Sequence, residues 1–291
     1  MHELQVSQLF IYPVKSLRGF AVKQAELTPL GLKYDRHWMI INENQKFVTQ
    51  RKHPKMVLIK TQIDDNHLYL SKDGMPDFQI ALTDSAKNIE RPFTATVWQD
   101  NCMVQDEGDE VSAWLMQALN SKKKLRLVRM AKNHIRPQSN ADRFGSQNTT
   151  QFADAVAYLI SYQASLDKLN QELKNKAIKP CSIEQFRPNI VLNTSSNKDV
   201  LAPFQEHEVK EFVHTDYSFT SHDHCQRCIV PTIDLNSAEK HPLQEPYKTL
   251  VGLNPMPDQP KAPAFGQNAT LKQANKGQLI KLNDPISITM L

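Results

Sequence analysis

Apolar and polar positions alternate in short runs through the first hundred residues. In LQVSQLFIYPVKS (4–16), Val6, Leu9, Ile11 and Val14 are among the apolar members. The run predicts a strand that stops at Pro13, because proline has no N–H to give to a ladder. AVKQAELTPLG (21–31) predicts a second strand, closed by Pro29 and Gly31. HWMIIN (37–42) and FVTQR (47–51) flank polar ENQK, a hairpin pattern, and MVLIKTQIDDNHLYLS (56–71) repeats it with a turn at Asp64–Asp65–Asn66. Short strands joined by turns predict a barrel or small sandwich. The period changes in EVSAWLMQAL (110–119), where Val111, Trp114, Leu115 and Leu119 share a helical face, and in SYQASLDKLNQELKN (161–175), where Leu166, Leu169 and Leu173 do. Between them, residues 132–152 are polar and aperiodic, which predicts a long surface loop of a length often kept for function. NIVLN (189–193), EVKEFV (208–213) and ISITML (286–291) return to strand patterning. The expected fold class is mostly β, rich in β-barrel, with several helices.

Length and composition narrow the class further. A chain of 291 residues is long for one core and comfortable for two subdomains. Apolar residues at 40% and charged residues at 23% fit a soluble globular protein. The longest apolar runs, such as VAYLI (156–160), are too short to cross a bilayer, and MHELQVSQLF lacks the features of a signal peptide. The expectation is a cytoplasmic protein with no membrane span. Net charge is +4 with dispersed basic residues, and KKK (122–124) reads as a solvated run. That pattern predicts no nucleic-acid partner and suits an anionic small ligand or an acidic protein. Four cysteines do not make a disulfide framework at this size.

Half of those cysteines lie in SHDHCQRCIVPTID (221–234). Cys225 and Cys228, with His222 and His224, offer a zinc-like C-x2-C spacing, yet no second ligand pair exists elsewhere to complete a site of the usual kind. A redox dithiol needs a helix start after the cysteines. Here Ile229 and Val230 favour extended chain, and Pro231 opposes a helix interior. The third reading is a single thiolate for a soft transition metal, with Arg227 favouring the charged sulfur. Cys102 and Cys181 have no patterned neighbours and read as small buried hydrophobes.

CQRCIVPTID (225–234) resembles the cysteine segment of the MOSC-domain molybdenum-cofactor proteins. LFIYPVKSLRG (9–19), GLKYDRHWMI (31–40) and FVTQR (47–51) resemble the N-terminal barrel of that family. AYLISYQASLDKLN (157–170), QFRPNIV (185–191), EPYKTL (245–250) and AFGQNA (264–269) resemble its later landmarks in the same order. The blocks span nearly the whole chain, and they resemble the YcbX-type proteins and the mitochondrial amidoxime-reducing component.

The resemblance implies an N-terminal MOSC-type β-barrel subdomain over residues 1–125 and a MOSC domain over 126–291. It implies a molybdenum cofactor, a metal held by a pyranopterin dithiolene, with Cys228 as the protein's metal ligand and a catalytic residue. Around an anionic cofactor it implies Lys15, Ser16, Arg36, Arg187, Asn189 and Arg227, with Gly266 allowing close backbone approach; Asn268 stands where some members carry an aromatic residue. Guanidinium forks and an ammonium suit such a ligand. Asp154 matches a family acid that moves protons or orients an arginine; taken alone, it reads as a helix cap before Ala155. The implied activity is reduction of N-hydroxylated compounds, hydroxylaminopurines and amidoximes among them. The sequence holds neither a C-x4-C-x2-C run nor a nucleotide-binding fingerprint. Electrons are therefore expected from a separate flavoprotein, ferredoxin or cytochrome b5-like protein. The alternative is a carrier of sulfur or of the cofactor without reductase activity of its own.

Overall fold

Seven strands close on one another into a barrel in the computed structural model, which describes residues 3–83, 91–136, 138–195 and 201–291. In ring order they are Ile190–Thr194, Tyr158–Tyr162, Ala264–Ala274, Tyr217–Gln226, Val209–Val213, Pro285–Met290 and Glu3–Ile11. The last pairs back onto the first and closes the ring. Every pairing is antiparallel except Tyr158–Tyr162 with Ile190–Thr194. The imperfect alternation of the opening strand has a physical cause. Leu4 and Val6 point into the core, a register shift follows between Val6 and Gln8, and Leu9 and Ile11 resume the inward phase. One extra residue in a bulge flips the phase, so the apolar positions stay inside. Tyr158, Tyr162, Phe212, Tyr217 and Phe219 fill the same core.

The N-terminal half builds a second body. Trp38–Asn42, Leu125–Met130, Asp100–Asp106 and Phe93–Val97 form a four-stranded sheet, and Lys60–Ile63, His67–Ser71 and Phe78–Ala81 a three-stranded one. The helix Asp109–Leu119 lays Val111, Trp114 and Leu115 against Trp38, Ile40, Leu68, Leu70 and Leu127. The bodies interleave in sequence: Glu3–Ile11 belongs to the C-terminal barrel, while Leu125–Met130, at the expected 125/126 division, pairs with Trp38–Asn42. Among the described residues, no helix is long and apolar enough to cross a membrane.

Four local expectations change. Phe47–Arg51 is not a strand. Phe47 makes one bridge to Ile41, after which the N–H groups of Lys52 and His53 turn back onto Thr49 O. AVKQAELTPLG splits into Phe20–Val22, on the opening strand, and Gln24–Thr28, which pairs with Leu279–Lys281 and with Gly31–Leu32. The segment after Cys228 is a single 3-10 turn, Val230–Thr232, with Pro231 at a first-turn position where its missing N–H costs nothing. Asp154 caps no helix, because residues 151–157 are irregular. The long loop 132–152 is present and carries one helical turn, Ala141–Phe144.

Candidate functional site

Strand ends from both bodies and the long loop converge on a cavity of about 260 Å³. Cys225, Arg227 and Cys228 line it from the barrel, Lys15, Ser16 and Arg36 from the opening segment, and Arg143 and Asp154 from the loop region. Arg51 and Arg187 join them, so six guanidinium or ammonium groups face one carboxylate, Asp154, in the wall. A low-dielectric pocket with that balance concentrates anions.

The backbone holds these side chains by unusual means. Ser16, Arg36 and Arg187 all sit in the left-handed region, with φ of 67°, 48° and 58°. Such non-glycine conformations cost energy and persist where surrounding contacts fix them. For Arg187 the cause is visible. Ser182 and Gln185 form a reciprocal capping box that starts the turn Ile183–Phe186, and Arg187 ends it. Its guanidinium then lies 4.4 Å from the Tyr12 ring centroid and donates to Leu17 O at 2.7 Å. Arg36 lies over the same ring at 4.4 Å, donating to Asp35 Oδ2 at 2.5 Å and to Arg187 O at 2.9 Å. Asp35 is buried and also accepts the Tyr12 N–H, at 2.9 Å. Burial, and then the neighbouring Arg36 charge, lower Arg187 to about 10, and it remains charged at neutral pH.

Lys15 is buried, and its ammonium donates to Phe152 O at 2.7 Å and to Asp154 Oδ1. Burial pulls the Lys15 pKa down, against the pull of Asp154. Asp154 is itself largely exposed, and the Lys15 charge and hydrogen bond, with Arg51 and the Trp98 indole N–H, lower its pKa. Its carboxyl is held well below the usual range. Asp154 thus orients and neutralises a lysine, not an arginine alone, and it stays ionised.

The cysteine segment is shaped by bulges. Tyr217–Gln226 pairs with Ala264–Ala274 through three register shifts, the last between His224 and Gln226, which takes Cys225 off the ladder. The expected pairing of Arg227 with Cys228 changes. Arg227 Nη1 donates to Cys225 Sγ at 2.8 Å and Nη2 to Phe186 O at 2.6 Å. Both thiols are free, and Cys228 stands in the wall beside this cluster. The zinc arrangement does not form. His222 Nε2 meets Thr270 Oγ1 at 2.7 Å, His224 stacks on His207, and among the described residues no group of three or more His, Cys, Asp or Glu side chains is placed to hold a metal ion. The redox-dithiol arrangement lacks its helix start.

Two further expectations meet different surroundings. Gly266 has φ +78°, but it faces the neighbouring strand and does not line the cavity. A Cβ there would lie 2.6 Å from Ser161 Oγ and 3.0 Å from Ile160 O. The close approach it permits is between strands. Asn189 does line the cavity, yet its amide bridges Leu159 N at 3.2 Å and Phe10 O at 3.4 Å, tying three strands together. Asn268 lines the cavity and donates to His224 O at 3.5 Å. Sequence reasoning passed over Tyr12, Asp35, Arg51 and Arg143. The first three lie in or beside the blocks LFIYPVKSLRG, GLKYDRHWMI and FVTQR, which marked their place without marking their role.

A buried cationic cradle beside a free thiol is a donor set that fits an anionic pterin–metal group. Comparisons agree with the fold. Residues 3–122 match the profile of the MOSC N-terminal beta barrel domain, and residues 147–287 that of the MOSC domain. The chain is 33% identical over 300 residues to mitochondrial amidoxime-reducing component 1 of Homo sapiens, covering 97% of this chain and 82% of that one. It is 31% identical over 293 residues to the Mus musculus protein of the same name, covering 97% and 81%. Over 243 residues it is 31% identical to a molybdenum cofactor sulfurase of Drosophila grimshawi, covering 82% of this chain and 29% of that protein.

Proposed function

We propose that this chain, which belongs to the MOSC family, binds a molybdenum–pyranopterin cofactor in the cationic cavity and reduces N-hydroxylated compounds. The observation that carries the reading is Cys228 in the wall of a pocket where six cations face one carboxylate. Cys228 is the protein's ligand to the metal. Arg36 and Arg187, stiffened by the shared Tyr12 ring, and Lys15, held by Asp154, bind the anionic parts of the cofactor. The left-handed turn at Ser16 presents its own polar groups at the same edge. The Arg227 guanidinium fixes Cys225 as a neighbour that is not a ligand. When bound, the metal supplies two-electron reduction of the substrate's N–O bond; the protein orients it and sets its surroundings. Amidoximes and hydroxylaminopurines are the substrate class, and the electrons come from a separate donor protein.

Metal analysis of purified protein tests the assignment. The expected result is near-stoichiometric molybdenum, lost in Cys228→Ala and kept in Cys225→Ala. Zinc dependent on both cysteines would refute it. The likeness to a molybdenum cofactor sulfurase supports a second reading, a carrier of sulfur or cofactor through Cys228. A molybdenum-loaded protein that fails to reduce a hydroxylaminopurine with an artificial donor favours that carrier.

A further inference from the structure

The histidines of HDHC have no part in the assignment above, yet one of them stands in the cavity. His224 lines the wall, and its ring lies flat on His207, with centroids 3.9 Å apart and planes 7° apart. The state of His207 follows from its neighbours. Asn254 Nδ2 donates to Ala264 O at 2.9 Å, which fixes that atom as a donor, and the same atom lies 2.8 Å from His207 Nε2. His207 Nε2 is therefore the acceptor. Its Nδ1 carries the proton and donates to Gln267 Oε1 at 3.0 Å. Burial first, and then His224, push His207 down to about 4, so it is a neutral, locked ring under His224.

Every element packed on His224 adds a group. On its own strand, Asp223 Oδ1 accepts the His224 backbone N–H at 2.6 Å and lies 3.7 Å from Nδ1. Arg143, on the turn Ala141–Phe144, binds the other Asp223 oxygen. His207 comes from the turn Gln205–Glu208, and Asp258 acts from the 254–263 segment. Burial lowers the His224 pKa, and Asp223 opposes it.

Reductive cleavage of an N–O bond balances as R–NH–OH + 2 e⁻ + 2 H⁺ → R–NH₂ + H₂O. One-electron carrier proteins supply the electrons, and the cavity must pass the protons. Asp154 is held ionised and Lys15 is closed on Asp154 and Phe152 O. Cys225 Sγ is taken by Arg227, and the Tyr158 hydroxyl donates to Thr28 O at 2.6 Å. Cys228 is assigned to the metal. We propose that His224 is the proton donor to the oxygen leaving the substrate nitrogen, with the neutral His207 ring and Asp223 holding the imidazole in place. The inference rests on the reductase reading. As the N–O bond breaks, the His224 proton leaves with the oxygen as water, the nitrogen takes the second proton, and His224 is reprotonated from solvent.

The test uses the molybdenum-loaded full chain, a hydroxylaminopurine and a reduced viologen. His224→Gln is expected to lower kcat about 100-fold, the lower end of general-acid effects. The wild type should lose kcat/KM as pH rises through the His224 pKa, and the variant should lose that dependence. His224→Ala should regain rate on addition of imidazole. In the metal-free chain, ring-proton NMR should show His224 titrating below its usual 6.5 while His207 stays neutral. An active wild type whose His224→Gln variant keeps the same kcat and pH profile overturns this inference alone. So does an impaired His224→Ala that imidazole does not rescue, or a His224 ring that does not titrate. A loaded wild type with no turnover overturns both this inference and the reductase reading.

Discussion

Replacing Glu206 by glutamine should change the pH dependence of stability without disturbing the fold. Glu206 is 2% exposed in the turn Gln205–Glu208, one residue before the His207 ring. Its Oε2 accepts from Ser165 Oγ at 2.7 Å, and Oε1 has no partner among the described residues. Burial raises the carboxyl to about 7, and the Ser165 hydrogen bond pulls only partly the other way. The ordinary value of 4.5 describes the unfolded chain. Between those values the folded state binds more protons than the unfolded, so stability is greatest below 4.5 and is lost as pH rises through 7. A gap from 4.5 to about 7, at about 1.4 kcal/mol per pH unit, amounts to about 3 kcal/mol. Glutamine keeps the shape and the neutral state at every pH. Urea unfolding of both proteins at pH 5 and pH 8.5 checks this. The midpoints should differ little at pH 5, and Glu206→Gln should be more stable by up to about 3 kcal/mol at pH 8.5. Parallel stability curves across that range would refute the buried neutral acid.

Gly266→Ala should destabilise by about 2 kcal/mol through its positive φ and the clash at Ser161 Oγ, read as a lower Tm. Adding Ser161→Ala should recover part of that loss. Asp35→Ala leaves Arg36 and the Tyr12 N–H without their buried acceptor and should cost about 3 kcal/mol in urea unfolding. Asp154→Asn removes the carboxylate that opposes the depressed Lys15 pKa. The ammonium should then neutralise at lower pH, and retention of the anionic cofactor, followed by molybdenum content after dialysis, should fail at lower pH than in the wild type.

Four of the seven barrel strands, Glu3–Ile11, Ile190–Thr194, Val209–Val213 and Pro285–Met290, were legible in their own apolar patterning, whereas Tyr158–Tyr162, Tyr217–Gln226 and Ala264–Ala274 gave no strand signal that was read. Where the reading failed, a partner distant in sequence decided. Phe47–Arg51 has strand composition but finds one bridge among the described residues, since Thr49 O is used to turn the chain. The bulge after Val6 is invisible until Ile190–Thr194 supplies the opposite ladder. The site was legible as an ordered set of blocks, and most of the quoted residues do meet at one cavity. Their individual contacts were not. Arg227 is next to Cys228 in sequence, but a bulge turns its guanidinium to Cys225. Gly266 serves strand packing. His207 carries no local signal, and its place under His224 depends on a turn, a strand and the Asn254 amide meeting in space.

Barrel closure has a consequence for how the chain is made. Glu3–Ile11 is hydrogen-bonded on one side to Ile190–Thr194 and on the other to Pro285–Met290, with its end Leu9–Ile11 also paired to Phe20–Val22. These two barrel partners leave the ribosome long after it, once the N-terminal body has had time to fold. During synthesis the first strand therefore waits with one edge open and the other covered only by Phe20–Val22 along Leu9–Ile11, and the growing barrel is exposed to wrong pairing until Pro285–Met290 arrives. Expressing residues 126–291 alone would make that delay permanent, leaving two unsatisfied strand edges. Such a fragment is expected to self-associate, and supplying Glu3–Ile11 in trans is the natural way to rescue it.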